Sequence, residues 1–216
     1  MDLGRCRYVV VEGPIGAGKT SLARVLARHV DGEELFERPE DNPFLERFYG
    51  DMPRFALATQ LTFLFQRADQ LAGVGQFDMF RKLTVADFLL DKDPLFARLN
   101  LTDAEYGLYE KVYSHLKPQT PTPDLVIYLQ APTDVLLKRL RDRGTNLEHD
   151  AFIPNTEYLR ELNEAYQHFF FHYSATPLLV VETSQVDLQS SDEAVDDLIR
   201  QIRGKNRGTR FYVPRT

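Results

Sequence analysis

Short apolar runs alternate with amphipathic stretches along this chain. Tyr8-Val9-Val10-Val11 is a β-branched run, and a glycine-rich segment, Gly13–Gly18, follows it at once. Leu22, Ala23, Val25, Leu26 and Ala27 then recur at helical spacing until Gly32. The pattern predicts strand, glycine loop, helix. Glu33–Phe36 predicts a second short strand, closing at Glu37. From Pro43 to Gly75 the chain is aromatic-rich and helical, with Phe55, Leu57, Leu61, Leu64, Ala68 and Leu71 as its apolar stripe. Leu83–Ala86 predicts a third strand that ends at Asp87. Thr102–Leu116 predicts a helix, started by a Thr102 cap and stopped before Pro118.

Leu125–Leu129 reads as a strand buried on both faces. Pro132–Arg143 predicts the helix after it, stopped by Gly144, and Pro154–Tyr173 a further long helix. Leu178–Val181 is the last strand expected, and Ser191–Arg203 the closing helix. Buried apolar strands alternating with helices imply an α/β, three-layer fold, a parallel sheet with helices on both faces. No repeat, low-complexity tract or linker interrupts the pattern. Residues 1–203 are therefore expected to form a single domain, and the tail 204–216 to be less ordered.

Composition narrows the function classes. The 216 residues are 43% hydrophobic and 27% charged, enough for one full core. With 26 Lys+Arg and 32 Asp+Glu the formal charge is −6, which argues against a nucleic-acid partner held by overall positive charge. Cys6 is the only cysteine, so an internal disulfide and a cysteine-based metal site are excluded. A reducing, cytoplasmic setting fits. The first apolar run is too short for a signal-peptide core. No stretch reaches the roughly 20 apolar residues that span a membrane.

The chemistry enters at the glycines. Gly13-Pro14-Ile15-Gly16-Ala17-Gly18-Lys19-Thr20 matches G-x-x-x-x-G-K-S/T at every fixed position, and Ser21 follows it into the helix. Glycines let the backbone fold round a phosphate and aim N–H groups at it. Lys19 can reach the β- and γ-phosphate oxygens, and the Thr20 hydroxyl can ligate Mg²⁺. The helix that follows points its positive end at the same anion. A bare glycine turn explains the spacing less well, because strand, loop and helix come in the required order. ATP with Mg²⁺ is the expected cofactor pair. The guanine-reading Asn/Thr-Lys-x-Asp segment of a GTPase is absent from the sequence.

Further segments then fall together: Glu37 with Asp41–Tyr49, Gln60–Arg67, Leu95-Phe96-Ala97, Val126–Gln130, Arg139–Glu148, Ile153-Pro154 and Tyr158-Leu159. In these the chain resembles the deoxynucleoside kinase family, and within it the bacterial deoxyadenosine and deoxyguanosine kinases. The resemblance runs from about Tyr8 to Val181. It implies a fold like that of P-loop nucleoside monophosphate kinases. The implied activity is transfer of the γ-phosphoryl of ATP to the 5′-hydroxyl of a deoxynucleoside, and a homodimer is implied as well. It places Glu37 as the catalytic carboxylate, Gln60 and Arg67 as the base-reading pair, and Tyr49 at the sugar 3′-hydroxyl. Gln60, Leu64 and Arg67 are spaced i, i+4, i+7, so they share one helix face. The implied lid spans about 139–153, with Arg139 and Arg143 stabilising charge on the moving phosphoryl group and Glu148 closing on the 3′-hydroxyl.

The third strand departs from the family. Asp/Glu-Arg-Ser is usual there, and this chain has Asp87-Phe88-Leu89-Leu90. Asp87 is expected to be the Mg²⁺-organising acid. The arginine's role would fall to Lys92, to a lid arginine or to nothing. Asp91 and Asp93 are both candidates for the acidic partner of Arg67, and Asp91 is the one expected at the substrate. Two other readings compete. A nucleoside monophosphate kinase would need cations such as Arg38, Arg47 and Arg54 at its acceptor, where Glu37 would repel a phosphate. A nucleotide-binding regulatory module would explain the missing arginine.

Overall fold

The computed structural model describes residues 6–74, 82–144, 155–185, 192–203 and 207–214. They form two compact units, Met1–Leu35 with Lys82–Phe88 and Pro123–Thr216, and Phe36–Arg81 with Leu89–Thr122.

The first unit is built on a six-stranded sheet, ordered β2-β3-β1-β4-β5-β6. Its strands are β1 (Tyr8–Glu12), β2 (Glu33–Leu35), β3 (Thr84–Ala86), β4 (Leu125–Gln130), β5 (Leu178–Glu182) and β6 (Thr209–Tyr212). All pair in parallel. Every residue of β1 is buried, as are the first five of β4. That is why both read as unbroken apolar runs. The helices around the sheet are α1 (Lys19–Val30), α6 (Thr133–Gly144), α7 (Thr156–Phe171) and α8 (Asp192–Ile202). The order of strands reverses about β1, so the loops after β1 and β3 meet where open α/β sheets take ligands.

Strand β6 corrects the expectation of a loose tail. Thr209–Tyr212 pairs with β5 from Leu178↔Thr209 to Val181↔Tyr212. Arg210 donates to Gln201 O at 2.8 Å, and the Tyr212 hydroxyl donates to Asp197. Thr-Arg-Phe-Tyr is a β-favouring run. It was hidden by its polar flanks and by Phe211, which stays largely exposed.

The second unit is helical, with α2 (Leu45–Gly50), α3 (Met52–Ala72), α4 (Asp93–Asn100) and α5 (Asp103–Leu116). Its apolar stripe differs from the expected one. The buried face of α3 is Ala56, Thr59, Gln60, Leu64, Arg67 and Leu71. Phe55, Leu57, Leu61 and Ala68 are only half-buried. Gln60 and Arg67 thus lie on the inner face, and they persist there because the same unit supplies them with partners. Thr102 starts α5 with a reciprocal cap: its side chain accepts from Glu105 N, and Glu105 accepts from Thr102 N at 2.9 Å.

Candidate active site

The first unit carries the phosphate loop. A Cβ on Gly13 would stand 2.7 Å from Leu129 O, and Gly16 has φ of 86°, so neither position takes a side chain without strain. Ala17 N donates to Pro14 O at 3.1 Å, which turns Pro14, Ile15 and Gly16 into an arch. Gly18 leads directly into α1, whose first residues are Lys19, Thr20 and Ser21. Lys19 Nζ donates to Gly13 O at 2.9 Å and Pro14 O at 3.2 Å, so its ammonium is held against the arch. Glu12, wholly buried at the end of β1, accepts from Gly13 N at 2.8 Å and from the Tyr166 hydroxyl at 3.1 Å. That carboxylate was not singled out from the sequence. It closes an apolar strand directly before the glycines, a position with no sequence signature of its own.

Asp87 follows β3 directly and is buried. Thr20 Oγ1 donates to its Oδ2 at 2.5 Å. Two adjacent oxygen donors at a phosphate loop suit Mg²⁺, which takes one or two protein oxygens and completes its shell with phosphate and water. The residues present therefore fit that ion. Phe88 is wholly buried, and no arginine occurs between Asp87 and Asp93. Lys92, in the second unit, is buried too, with its ammonium 5.0 Å above the Phe96 ring.

Arg139 lies on α6, where it donates to Thr183 Oγ1 at 3.1 Å and to the Thr183 carbonyl. Arg143 is in the same helix, and its side chain is outside the described residues. Glu148 and most of the expected lid lie outside them as well.

The second unit assembles the acceptor candidates. Arg67 donates from Nε to Glu37 Oε1 at 2.5 Å, and Nη2 pairs with the same oxygen. Its Nη1 bonds Asp93 Oδ2. Burial works against the charge on Arg67, but Glu37 and then Asp93 outweigh it and raise its pKa above the ordinary arginine value. Gln60 Nε2 donates to Asp93 Oδ1 at 2.8 Å. Gln60, Arg67 and Glu37 are thus brought together. Of the two candidate partners of Arg67, Asp93 is the one in place. Asp91 is turned to Lys117, 2.6 Å away, so the expected pairing of Asp91 with Arg67 is not formed and Asp93 makes it instead. A two-residue offset in a turn of mixed charge decided this. Tyr49 sits half-buried on α2, its ring 5.3 Å from that of Phe48.

A phosphate loop between a buried parallel strand and a helix, with a carboxylate bonded to the loop's threonine, defines the class of P-loop nucleotide-binding proteins. Comparison with known proteins narrows it. The sequence profile described as deoxynucleoside kinase matches residues 9–206. The chain is 29% identical to a deoxyadenosine kinase of Lactobacillus acidophilus, over 93% of its length and 97% of the relative's. It is 33% identical to a deoxyguanosine kinase of Bacillus subtilis, over 74% and 76% of the two chains. A solved deoxyadenosine kinase from M. mycoides, with products dCMP and dCDP, superposes with a TM-score of 0.74 at 25% identity, covering 92% of this chain and 97% of that one. This chain belongs to the deoxynucleoside kinase family. It is an enzyme, a kinase that phosphorylates deoxynucleosides.

Proposed function

We propose that the chain transfers the γ-phosphoryl group of ATP to the 5′-hydroxyl of a purine deoxynucleoside, giving the 5′-monophosphate. The observation that carries this reading is the Glu37 carboxylate, fixed by Arg67 in the helical unit that also holds Gln60. Relatives named for deoxyadenosine and deoxyguanosine support the purine assignment. The reading takes the chain through β6 as one catalytic domain, in a cytoplasmic homodimer.

In this reading the first unit handles the donor. The loop from Gly13 to Thr20, with Ser21 behind it, directs N–H groups at the triphosphate, and Lys19 offsets its β/γ charge. Mg²⁺, held by Thr20 and Asp87, would neutralise charge on the phosphate oxygens. Arg139 and Arg143 stabilise the moving phosphoryl group, for which Arg139 must leave Thr183. The second unit handles the acceptor. A hydroxyl is a weak nucleophile and must lose its proton in the attack. Glu37 takes that proton, held in place by Arg67. Gln60 has its amide donor on Asp93, so its carbonyl meets the base edge, beside Arg67. Tyr49 and Glu148 receive the sugar 3′-hydroxyl.

The test is a panel of all natural nucleosides and their monophosphates with ATP and Mg²⁺. Turnover that depends on a purine deoxynucleoside is expected. Turnover only with monophosphates would favour the monophosphate kinase, and ATP binding without acceptor-dependent turnover the regulatory module.

A further inference from the structure

The contacts that hold Glu37 do not end at Arg67. Asp93 lies behind it, with no exposure at all, and it accepts from three donors. Arg67 Nη1 comes to Oδ2, Gln60 Nε2 to Oδ1 at 2.8 Å, and the Tyr109 hydroxyl to Oδ1 at 2.5 Å. Tyr109 stands on α5 and is fully buried. Its ring packs beside Tyr106 and Tyr113, at 5.8 and 6.0 Å between centroids. The ring fills the core, while the hydroxyl does something a phenylalanine could not. Among the described residues, it is the one neutral donor from a second helix to a carboxylate that Gln60 and Arg67 share.

We propose that Tyr109 is a positioning residue for the phosphoryl transfer, holding Asp93 so that Arg67 and Gln60 stay in register and Arg67 keeps Glu37 in place. The proposal rests on the reading of Glu37 as the proton acceptor. The physical reason is a competition. Arg67 is a cation between two carboxylates, Glu37 and Asp93. A buried carboxylate must have its lone pairs met. Three donors meet those of Asp93, and the Tyr109 hydroxyl is one of them. Without it, Asp93 draws more strongly on the Arg67 guanidinium, which moves away from Glu37. A misplacement near 1 Å of a catalytic group can cost about 10²-fold, so even a fraction of that shift is measurable.

The test compares Tyr109→Phe with the parent and with Tyr113→Phe, which removes a phenol of the same helix that is bonded to Asp91 instead. Tyr109→Phe is expected to lower kcat about 10-fold and to raise the nucleoside KM, with the ATP KM unchanged. Tyr113→Phe is expected to leave kcat alone. In a Glu37→Gln background Tyr109→Phe should cost kcat little more, because the group it positions is gone. Parent-like kcat in Tyr109→Phe, or an equal loss in both backgrounds, would overturn the proposal. Asp93→Asn, read alongside, should lower kcat in the same direction, and parent-like kcat in that variant would overturn it equally. If Glu37→Gln itself keeps full kcat, the reading of Glu37 has failed, a result separate from either.

Discussion

Thr20 Oγ1 donates to Asp87 Oδ2 at 2.5 Å, which ties the first turn of α1 to the residue after β3. The parallel register, Tyr8↔Thr84 to Val10↔Ala86, makes this possible, since the segments that follow β1 and β3 leave the same edge of the sheet side by side. The contact favours Asp87 as the metal-organising acid over a place facing the acceptor. Asp87→Asn should therefore raise the Mg²⁺ concentration needed for half-maximal rate. Steady-state rates titrated with Mg²⁺ at saturating ATP and nucleoside measure it. An unchanged Mg²⁺ requirement with a shifted nucleoside KM would move Asp87 to the acceptor side.

Among the described residues, Lys19 is the only one whose ammonium is held against the phosphate arch by Gly13 O and Pro14 O. Lys19→Ala removes that charge and leaves the arch, which rests on backbone bonds and glycine conformations. The expected loss in kcat is at least about 10²–10³-fold, the scale for deleting one preorganised electrostatic contact. Thermal unfolding should be nearly unchanged. Turnover within a few-fold of the parent would sink the assignment of this loop.

What could be read from the sequence follows from how local each feature is. β1, the glycine loop and α1 lie within 23 consecutive residues, Tyr8–Val30, and each has a signature of its own. β4 was equally plain, because a strand buried on both faces has no polar residue to confuse its period. The Asp93 hub was not legible. Gln60 and Arg67 share one face of α3, but Tyr109 comes from α5 and Glu37 joins only through Arg67, and no spacing rule relates these to Asp93. Asp91 and Asp93 look alike in sequence, and only the turn after Leu89 points one at Lys117 and the other at Arg67. The α3 stripe misled for a related reason. Polar Gln60 and Arg67 are buried because Asp93 and Glu37 partner them, so the helix's inner face is not its most apolar one.

The Thr102–Glu105 cap gives a stability prediction with a defined sign. The Thr102 hydroxyl, then its backbone N–H, donates to Glu105 and holds its carboxyl below the usual carboxylate range. A group whose folded pKa is depressed contributes stability above its unfolded value, about 4.3 for glutamate, and loses it as pH falls through the folded value. Thr102→Ala should cost about 0.5–2 kcal/mol near pH 7. For a chain of this size that is roughly 2–4 °C in Tm per kcal/mol. Glu105→Gln should be less stable than the parent at neutral pH, and the gap should narrow below about pH 4. A gap that widens in acid would show that Glu105 does not act through its charge.

Glu37→Gln tests the chemistry most directly. The amide keeps the size of the carboxylate and can still accept from Arg67, so the acceptor side should hold its shape. It cannot take the 5′-hydroxyl proton. Loss of a positioned general base costs on the order of 10²–10⁴-fold in rate. The loss should fall on kcat, with nucleoside affinity changed little. Arg67 complicates this expectation in a useful way. Its guanidinium is 6% exposed and lies between two carboxylates, and the substitution leaves it with Asp93 as its only charged partner among the contacts described. If part of the lost rate comes from Arg67 moving rather than from the missing base, a nucleoside whose base makes no contact with Arg67 should lose less. Comparing deoxyadenosine with a ribosyl-only analogue separates the two. Equal losses in kcat for both acceptors assign the effect to proton transfer. Unchanged kcat with a raised KM would make Glu37 a binding residue and place the base elsewhere.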